Sequence, residues 1–228
     1  MRSSTWHAAG NVYLLTEERV DAERVPTLAA GSDGILEVRA FGDDWVDVVI
    51  WNPDGSRAEM SGNGTRIAAK WLAELTGATN VQVRVGSREV LTHLRHHDVE
   101  QEMGDVRVFP VERVAGLDVT PVDVGNPHAV VVGDLADLPR IGPLLETHPR
   151  FPNRTNVQVV RVDGPGEISI RVWERGVGET QSSGTSAVAA AAATHSDGNV
   201  VVHFRGGDLR VRLEGGRATL IGPAERLV

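Results

Sequence analysis

The chain has 228 residues, a formal net charge of −8 and no cysteine. That excludes disulfides, thiolate metal sites and thiol catalysis, and the acidic balance argues against a nucleic-acid or anionic-membrane surface. Hydrophobic and charged shares of 41% and 24% are those of an ordinary globular protein, long enough for one large domain or two of roughly 110 residues.

No apolar run reaches the ~18 residues a membrane span needs, and Met1–His7 lacks the apolar core of a signal peptide, so a cytoplasmic location is expected. Lys70 is the only lysine, and it falls about one turn into a predicted helix. That is a poor place for a Schiff-base cofactor, and no cofactor is expected.

In chain order, Val46–Trp51 reads as a largely buried strand, and Asn52-Pro53-Asp54-Gly55-Ser56 as a turn. A helix is expected over 66–76, with Ile67, Ala68, Trp71, Leu72 and Leu75 on its apolar face and Gly77 as its stop. Alternating runs predict strands at 81–85, 90–94, 99–103 and 106–109, the last two split by Gly104-Asp105. Pro110 and Gly116 mark a boundary region. Beyond it, strands are expected at 122–124, 129–132, 157–160 and 168–173, with a short helix at 141–146. A helix follows at 185–194, then closing strands at 200–204, 209–213 and 218–221. Many strands with about two main helices indicate an α+β fold.

Two segments nearly repeat each other. Met60-Ser61-Gly62-Asn63-Gly64-Thr65-Arg66 and Ser182-Ser183-Gly184-Thr185-Ser186 are small-residue loops that each open a helix. Ser61 and Ser183 lie 122 residues apart, and Trp51 and Trp173 keep the same offset. The spacing suggests two similar halves that share a cleft. A helix N-terminus has unpaired N–H groups and a partial positive charge, and glycines let a ligand approach them. Two such termini would hold a carboxylate well. Serine is also a common helix cap, which accounts for either loop alone but not for the matched pair.

Gly125-Asn126-Pro127-His128 lies at a strand–loop junction, where functional groups concentrate. Glu174 and Arg175 sit at a strand end eight or nine residues before Ser183. His93, His96 and His97 match no metal-binding spacing, so no metal is expected.

With these segments taken together, the chain resembles the diaminopimelate epimerases, cofactor-independent amino-acid epimerases. The resemblance runs through His7–Tyr13, Gly31–Gly34, Asn52–Arg66, Gly125–His128, Arg154–Asn156, Glu174–Thr180 and Ser183–Thr185. It implies two pseudo-symmetric α/β domains, each a strand-rich sheet wrapped on a central helix. These are expected at 1–114 and 115–228, with the last strand a candidate to return to the first domain. It also implies a small amino-acid substrate with a carboxylate, no nucleic-acid or membrane partner, and a homodimer as a candidate assembly.

The resemblance implies a mechanism in which one thiolate removes the α-proton and an opposing thiol supplies another. Ser61 and Ser183 occupy the positions of those two cysteines, with His128 and Glu174 beside them. Asn11, Asn52, Asn63, Asn126, Asn156 and Arg175 fall at substrate-binding positions, and Gly62, Gly64, Gly184 and Thr185 form the carboxylate cradle. Val12 stands where the family is expected to carry aspartate. A serine hydroxyl is a far weaker acid than a thiol, so the chain is expected to be an impaired or inactive epimerase. The alternatives are a non-catalytic amino-acid-binding relative and a same-fold isomerase that uses Glu174 or His128 as its base. A serine-hydrolase reading lacks a nucleophile-elbow motif.

Overall fold

A computed structural model describes residues 3–58 and 60–227. Met1 and Arg2 of the N-terminal reading, Glu59 of the 52–66 segment, and Val228 lie outside the described residues. The chain forms two compact units, Met1–Glu102 with Ile221–Val228, and Met103–Leu220.

In the first unit, β1 (Ser3–Ala8) and β2 (Asn11–Thr16) form a hairpin, followed by the short α1 (Val25–Leu28). Then come β3 (Gly34–Phe41), β4 (Trp45–Trp51), β5 (Arg57–Ala58), α2 (Gly62–Thr76), β6 (Asn80–Val85) and β7 (Arg88–Arg95). The chain leaves this unit within β8 (Asp98–Asp105). The second unit holds β9 (Arg107–Val108), β10 (Glu112–Val114), β11 (Leu117–Asp123), β12 (Pro127–Val132), α3 (Leu138–Glu146) and β13 (Asn156–Gly164). It continues with β14 (Glu167–Glu174), β15 (Gly178–Thr180), α4 (Gly184–Thr194), β16 (Gly198–Phe204) and β17 (Gly207–Glu214). The chain returns within β18 (Arg217–Pro223), and β19 (Glu225–Leu227) pairs antiparallel with β1.

The repeat seen in the sequence is a repeat of topology. In the first unit β2 pairs parallel with β3, β3 antiparallel with β4, β4 parallel with β6, and β6 antiparallel with β7. In the second, β12–β13, β13–β14, β14–β16 and β16–β17 follow the same succession. The main helix is inserted at the same point in each, after β4–β5 and after β14–β15. Even the register shift recurs, between Val38 and Ala40 and between Val162 and Gly164.

Each helix is fixed by the strands it covers. Ile67, Ala68, Ala69 and Leu72 of α2 are buried with Trp6, Tyr13, Leu15, Val46, Val48, Ile50, Val81 and Val83. The expected apolar face is narrower than the spacing suggests. Trp71 is only partly buried, edge-on to Phe41, and Leu75 is 58% exposed because it faces away from the sheet in the last turn. Gly77 ends the helix in the left-handed conformation, φ +80°, which glycine adopts without a Cβ penalty. In α4, Ala187 and Ala189–Ala191 have no exposed surface, and their small side chains let the helix lie close against β11–β14 and β17. The expected break at Gly104-Asp105 falls one residue later, at Val106 between β8 and β9, and Gly104 within β8 takes φ +78°. No helix among the described residues is long and apolar enough to cross a membrane.

Candidate active site

In the first unit the site grows from the N-terminus of α2 and the start of β2. Ser61 is extended (φ −142°, ψ 119°) and caps α2, its Oγ accepting the Gly64 N–H at 3.0 Å. Glycine suits position 64, because a Cβ would sit 3.0 Å from Leu36 Cδ2 and 3.3 Å from the Ser61 Cβ, tighter than most side chains tolerate. The cap also takes the Gly64 N–H out of the expected carboxylate cradle. The same Ser61 hydroxyl is hydrogen-bonded to the Tyr13 hydroxyl at 3.0 Å.

Asn63 and Asn11, 52 residues apart in sequence, meet through the Asn63 amide nitrogen and the Asn11 amide oxygen. The orientation of Asn63 is set by Arg66, whose Nη2 donates to Asn63 Oδ1 at 2.5 Å. Arg66 has no exposed surface, and its other acceptors are the Gly62 carbonyl, Gln101 Oε1 and the Pro223 carbonyl. Burial draws its pKa down to about 10, against the opposing influence of Tyr13 and Asp98. Asn52 belongs to its own turn, donating to Ser56 Oγ at 2.9 Å, and no bond joins it to the Asn11–Asn63 pair. Lys70 donates to the His96 carbonyl at 3.0 Å.

In the second unit the structure brings Asn126, His128, Asn156, Glu174, Arg175 and Ser183 into one neighbourhood. His128 and Asn156 are register partners at the starts of β12 and β13. Asn156 donates to the Pro127 carbonyl at 3.1 Å and accepts the Arg175 N–H at 3.0 Å, which fixes the end of β14. The Arg175 guanidinium donates to the Asn153 carbonyl. Ser183 (φ −151°, ψ 126°) begins α4 but makes no side-chain cap bond. Its hydroxyl lies beside the Glu174 carboxylate and lowers its pKa, and that carboxylate accepts from Thr180 Oγ at 2.7 Å. Gly184 lies buried at the helix start, with Thr185 partly buried beside it. Burial pushes the Glu174 pKa above the usual carboxylate value, against the influence of Thr180 and Ser183.

His128 is chemically quiet. It is 1% exposed, and both ring nitrogens are engaged, Nδ1 with the Gln158 amide nitrogen and Nε2 with Asn126 Oδ1, each at 3.0 Å. The amide donates to Nδ1, so Nε2 carries the proton and donates to Asn126. Burial draws the pKa down to about 3, so the ring is neutral near pH 7. Gln158 also donates to Ser186 Oγ at 3.0 Å, tying His128 to the first turn of α4.

Glu146, at the end of α3, is a further residue of this site. Its carboxylate accepts the Trp173 indole N–H at 2.8 Å, the Gly176 N–H at 2.7 Å and Arg154 Nη1 at 3.3 Å. It therefore anchors the 174–178 loop that carries Glu174 and Arg175. In sequence it looks like an ordinary helix-end acid. Gln158 is equally silent, whereas Tyr13, Arg66 and Thr180 close three of the segments that carry the resemblance but have no role legible in sequence.

The model of the family described as diaminopimelate epimerase matches residues 12–109 and 120–227. A diaminopimelate epimerase of Pelotomaculum thermopropionicum is 37% identical over 265 aligned positions, covering 97% of this chain and 95% of the relative. That of Synechococcus elongatus is 34% identical, covering 100% and 96%. Among solved structures, a predicted epimerase from Pseudomonas aeruginosa superposes with a TM-score of 0.77 at 15% identity, covering 99% and 96%. A probable proline racemase from Agrobacterium radiobacter superposes at 0.67 with 14% identity, covering 99% and 90%, and so shares the fold. With the repeated topology and two serine-headed helices in hand, these matches settle the kinship: the chain belongs to the diaminopimelate epimerase family.

Proposed function

We propose that the chain is a diaminopimelate epimerase-like isomerase that interconverts LL- and meso-diaminopimelate by two-base α-proton transfer. As written it is impaired, because Ser61 and Ser183 occupy the two acid–base positions. The observation that carries this reading is the placement of one hydroxyl at the head of each repeated helix, Ser61 before α2 and Ser183 before α4. Ser61 is hydrogen-bonded to Tyr13, and Ser183 has the Glu174 carboxylate beside it. On this reading Asn11, Asn63, Asn126, Asn156 and Arg175 are the substrate-binding residues, and a helix N-terminus such as that of α2 or of α4 suits an α-carboxylate.

A hydroxyl alone cannot hold the charge that a thiolate holds near neutral pH, so the serine pair works poorly without help. The nearness of Ser183 to half-buried Glu174, whose pKa desolvation raises, supports a second reading in which Glu174 is the working base on its side. His128 is disfavoured in that role, since its nitrogens are both engaged and its pKa is drawn down to about 3. His128 then orients Asn126 and α4. The test is α-deuterium incorporation into LL- and meso-diaminopimelate in deuterium oxide, followed by NMR. The Ser61→Cys/Ser183→Cys chain is expected to exchange much faster than the parent. If the double variant binds diaminopimelate yet exchanges no α-proton, the assignment is wrong.

A further inference from the structure

We propose that Tyr13 is the proton partner of Ser61, so that the two hydroxyls form one acid–base relay. The inference rests on the reading of Ser61 as one of the two proton-transfer positions.

Three features of the first unit carry it. The Ser61 Oγ accepts the Gly64 N–H, which orients the hydroxyl, and the Tyr13 hydroxyl lies 3.0 Å from the same oxygen. The Tyr13 ring is held there by close packing. It is 8% exposed, and a Cβ on Gly34 would come within 2.9 Å of its Cε1 and 2.5 Å of the Trp51 carbonyl oxygen. Finally, Arg66 is a fully buried cation whose hydrogen-bond acceptors are all neutral, and it interacts electrostatically with Tyr13 and, more weakly, with Asp98. Charge interactions are strengthened where water is excluded.

The relay answers the weakness of serine. Acting as acid, Ser61 breaks its Oγ–H bond and a C–H bond forms at the substrate α-carbanion. The Tyr13 O–H bond breaks at the same time and its proton restores the Ser61 hydroxyl. The negative charge passes from carbon to the phenolate, which interacts electrostatically with the Arg66 guanidinium. In reverse, the phenolate takes the serine proton as Oγ takes the α-proton. A phenol ordinarily ionises near pH 10, far more readily than an aliphatic alcohol, so Tyr13 holds a charge that Ser61 cannot.

The test compares four proteins by α-deuterium incorporation into meso- and LL-diaminopimelate: the unsubstituted chain, Tyr13→Phe, Ser61→Cys/Ser183→Cys, and the triple variant that adds Tyr13→Phe. A thiolate holds its own charge, so the relay matters only beneath serine. Tyr13→Phe is expected to slow the serine chain at least about thirtyfold, within the usual range for general acid–base groups. It is expected to cost the cysteine chain less than a tenth of that factor. Equal losses in the two backgrounds would make Tyr13 a packing residue only and overturn the relay, as would no loss in the serine chain. A silent serine chain beside an active cysteine chain overturns the relay but leaves the epimerase reading standing. If the cysteine chain is silent too, both fall.

Discussion

Glu146→Gln separates the charge of one carboxylate from its shape. The carboxylate accepts two short bonds, from the Trp173 indole and the Gly176 backbone, at 2.8 and 2.7 Å. Glutamine keeps one acceptor and turns the other into a donor, so one of those N–H groups faces an amide N–H. Leaving a buried donor unpaired costs about 1–3 kcal/mol, and less here because Trp173 is half-buried and Gly176 exposed; losing charge assistance in the remaining bond adds about 1 kcal/mol. Arg154 adds little, because its side chain is 54% exposed and the pair is screened. The expected loss is therefore about 1–3 kcal/mol in urea unfolding at pH 7. Trp173 is the one tryptophan sequence position after residue 71, so its fluorescence reports the second unit.

The pH dependence of that loss has a defined sign. Burial raises the Glu146 pKa, but the bonds from Trp173 and Gly176 and the charge of Arg154 together hold it below the ordinary value. Its stabilisation is thus present above the unfolded value of about 4.3 and disappears as pH falls through the folded value. The deficit of the glutamine variant should narrow below about pH 4. A deficit under about 0.5 kcal/mol at pH 7, or one that is flat with pH, would refute the charge-based account.

Two further outcomes follow from the same unit. Gly142→Ala would gain about 1 kcal/mol on an open helix face. Here the new Cβ would meet the Trp173 ring and its Cβ at 2.7–2.8 Å, near the root of the side chain, where little can give. Overpacking of about 1–3 kcal/mol outweighs the gain, so urea titration should show net destabilisation, and a stabilised variant would refute the contact. His203 is bonded to Asp208 and Glu167, which raise its pKa above 6.5. Its contribution is complete below about pH 6.5 and is lost as pH rises through the folded value, and the exposed acids keep it under about 1 kcal/mol. His203→Asn should remove that alkaline decline, which unfolding curves from pH 6 to 9 would show.

What the sequence revealed was whatever is local or repeated. The heads of α2 and α4, the strand ending at Trp51 and its counterpart ending at Trp173 are legible because each is a short pattern written twice. The first three strands were not legible, for a physical reason visible in β3. Ile35 packs into one core and Leu36 and Val38 into another, so both faces are buried and the alternation of a one-sided strand is absent. Glu37 sits among them with no exposed surface, its carboxylate taken up by the Trp51 indole and Arg39, and it breaks the pattern further. The partners of the site residues were hidden by distance along the chain. Tyr13 reaches Ser61 across 48 residues and Glu146 reaches Gly176 across 30, and no local spacing encodes either pair.

The repeat conserves backbone and varies the partner. Ser61 caps its helix and meets a phenol, whereas Ser183 leaves its helix uncapped and meets a carboxylate. A phenol and a carboxyl group differ by nearly six units in their ordinary pKa values. On the proposed reading the two serines are therefore not interchangeable: Ser61 has a weak acid beside it, and Ser183 a carboxyl group whose pKa desolvation raises.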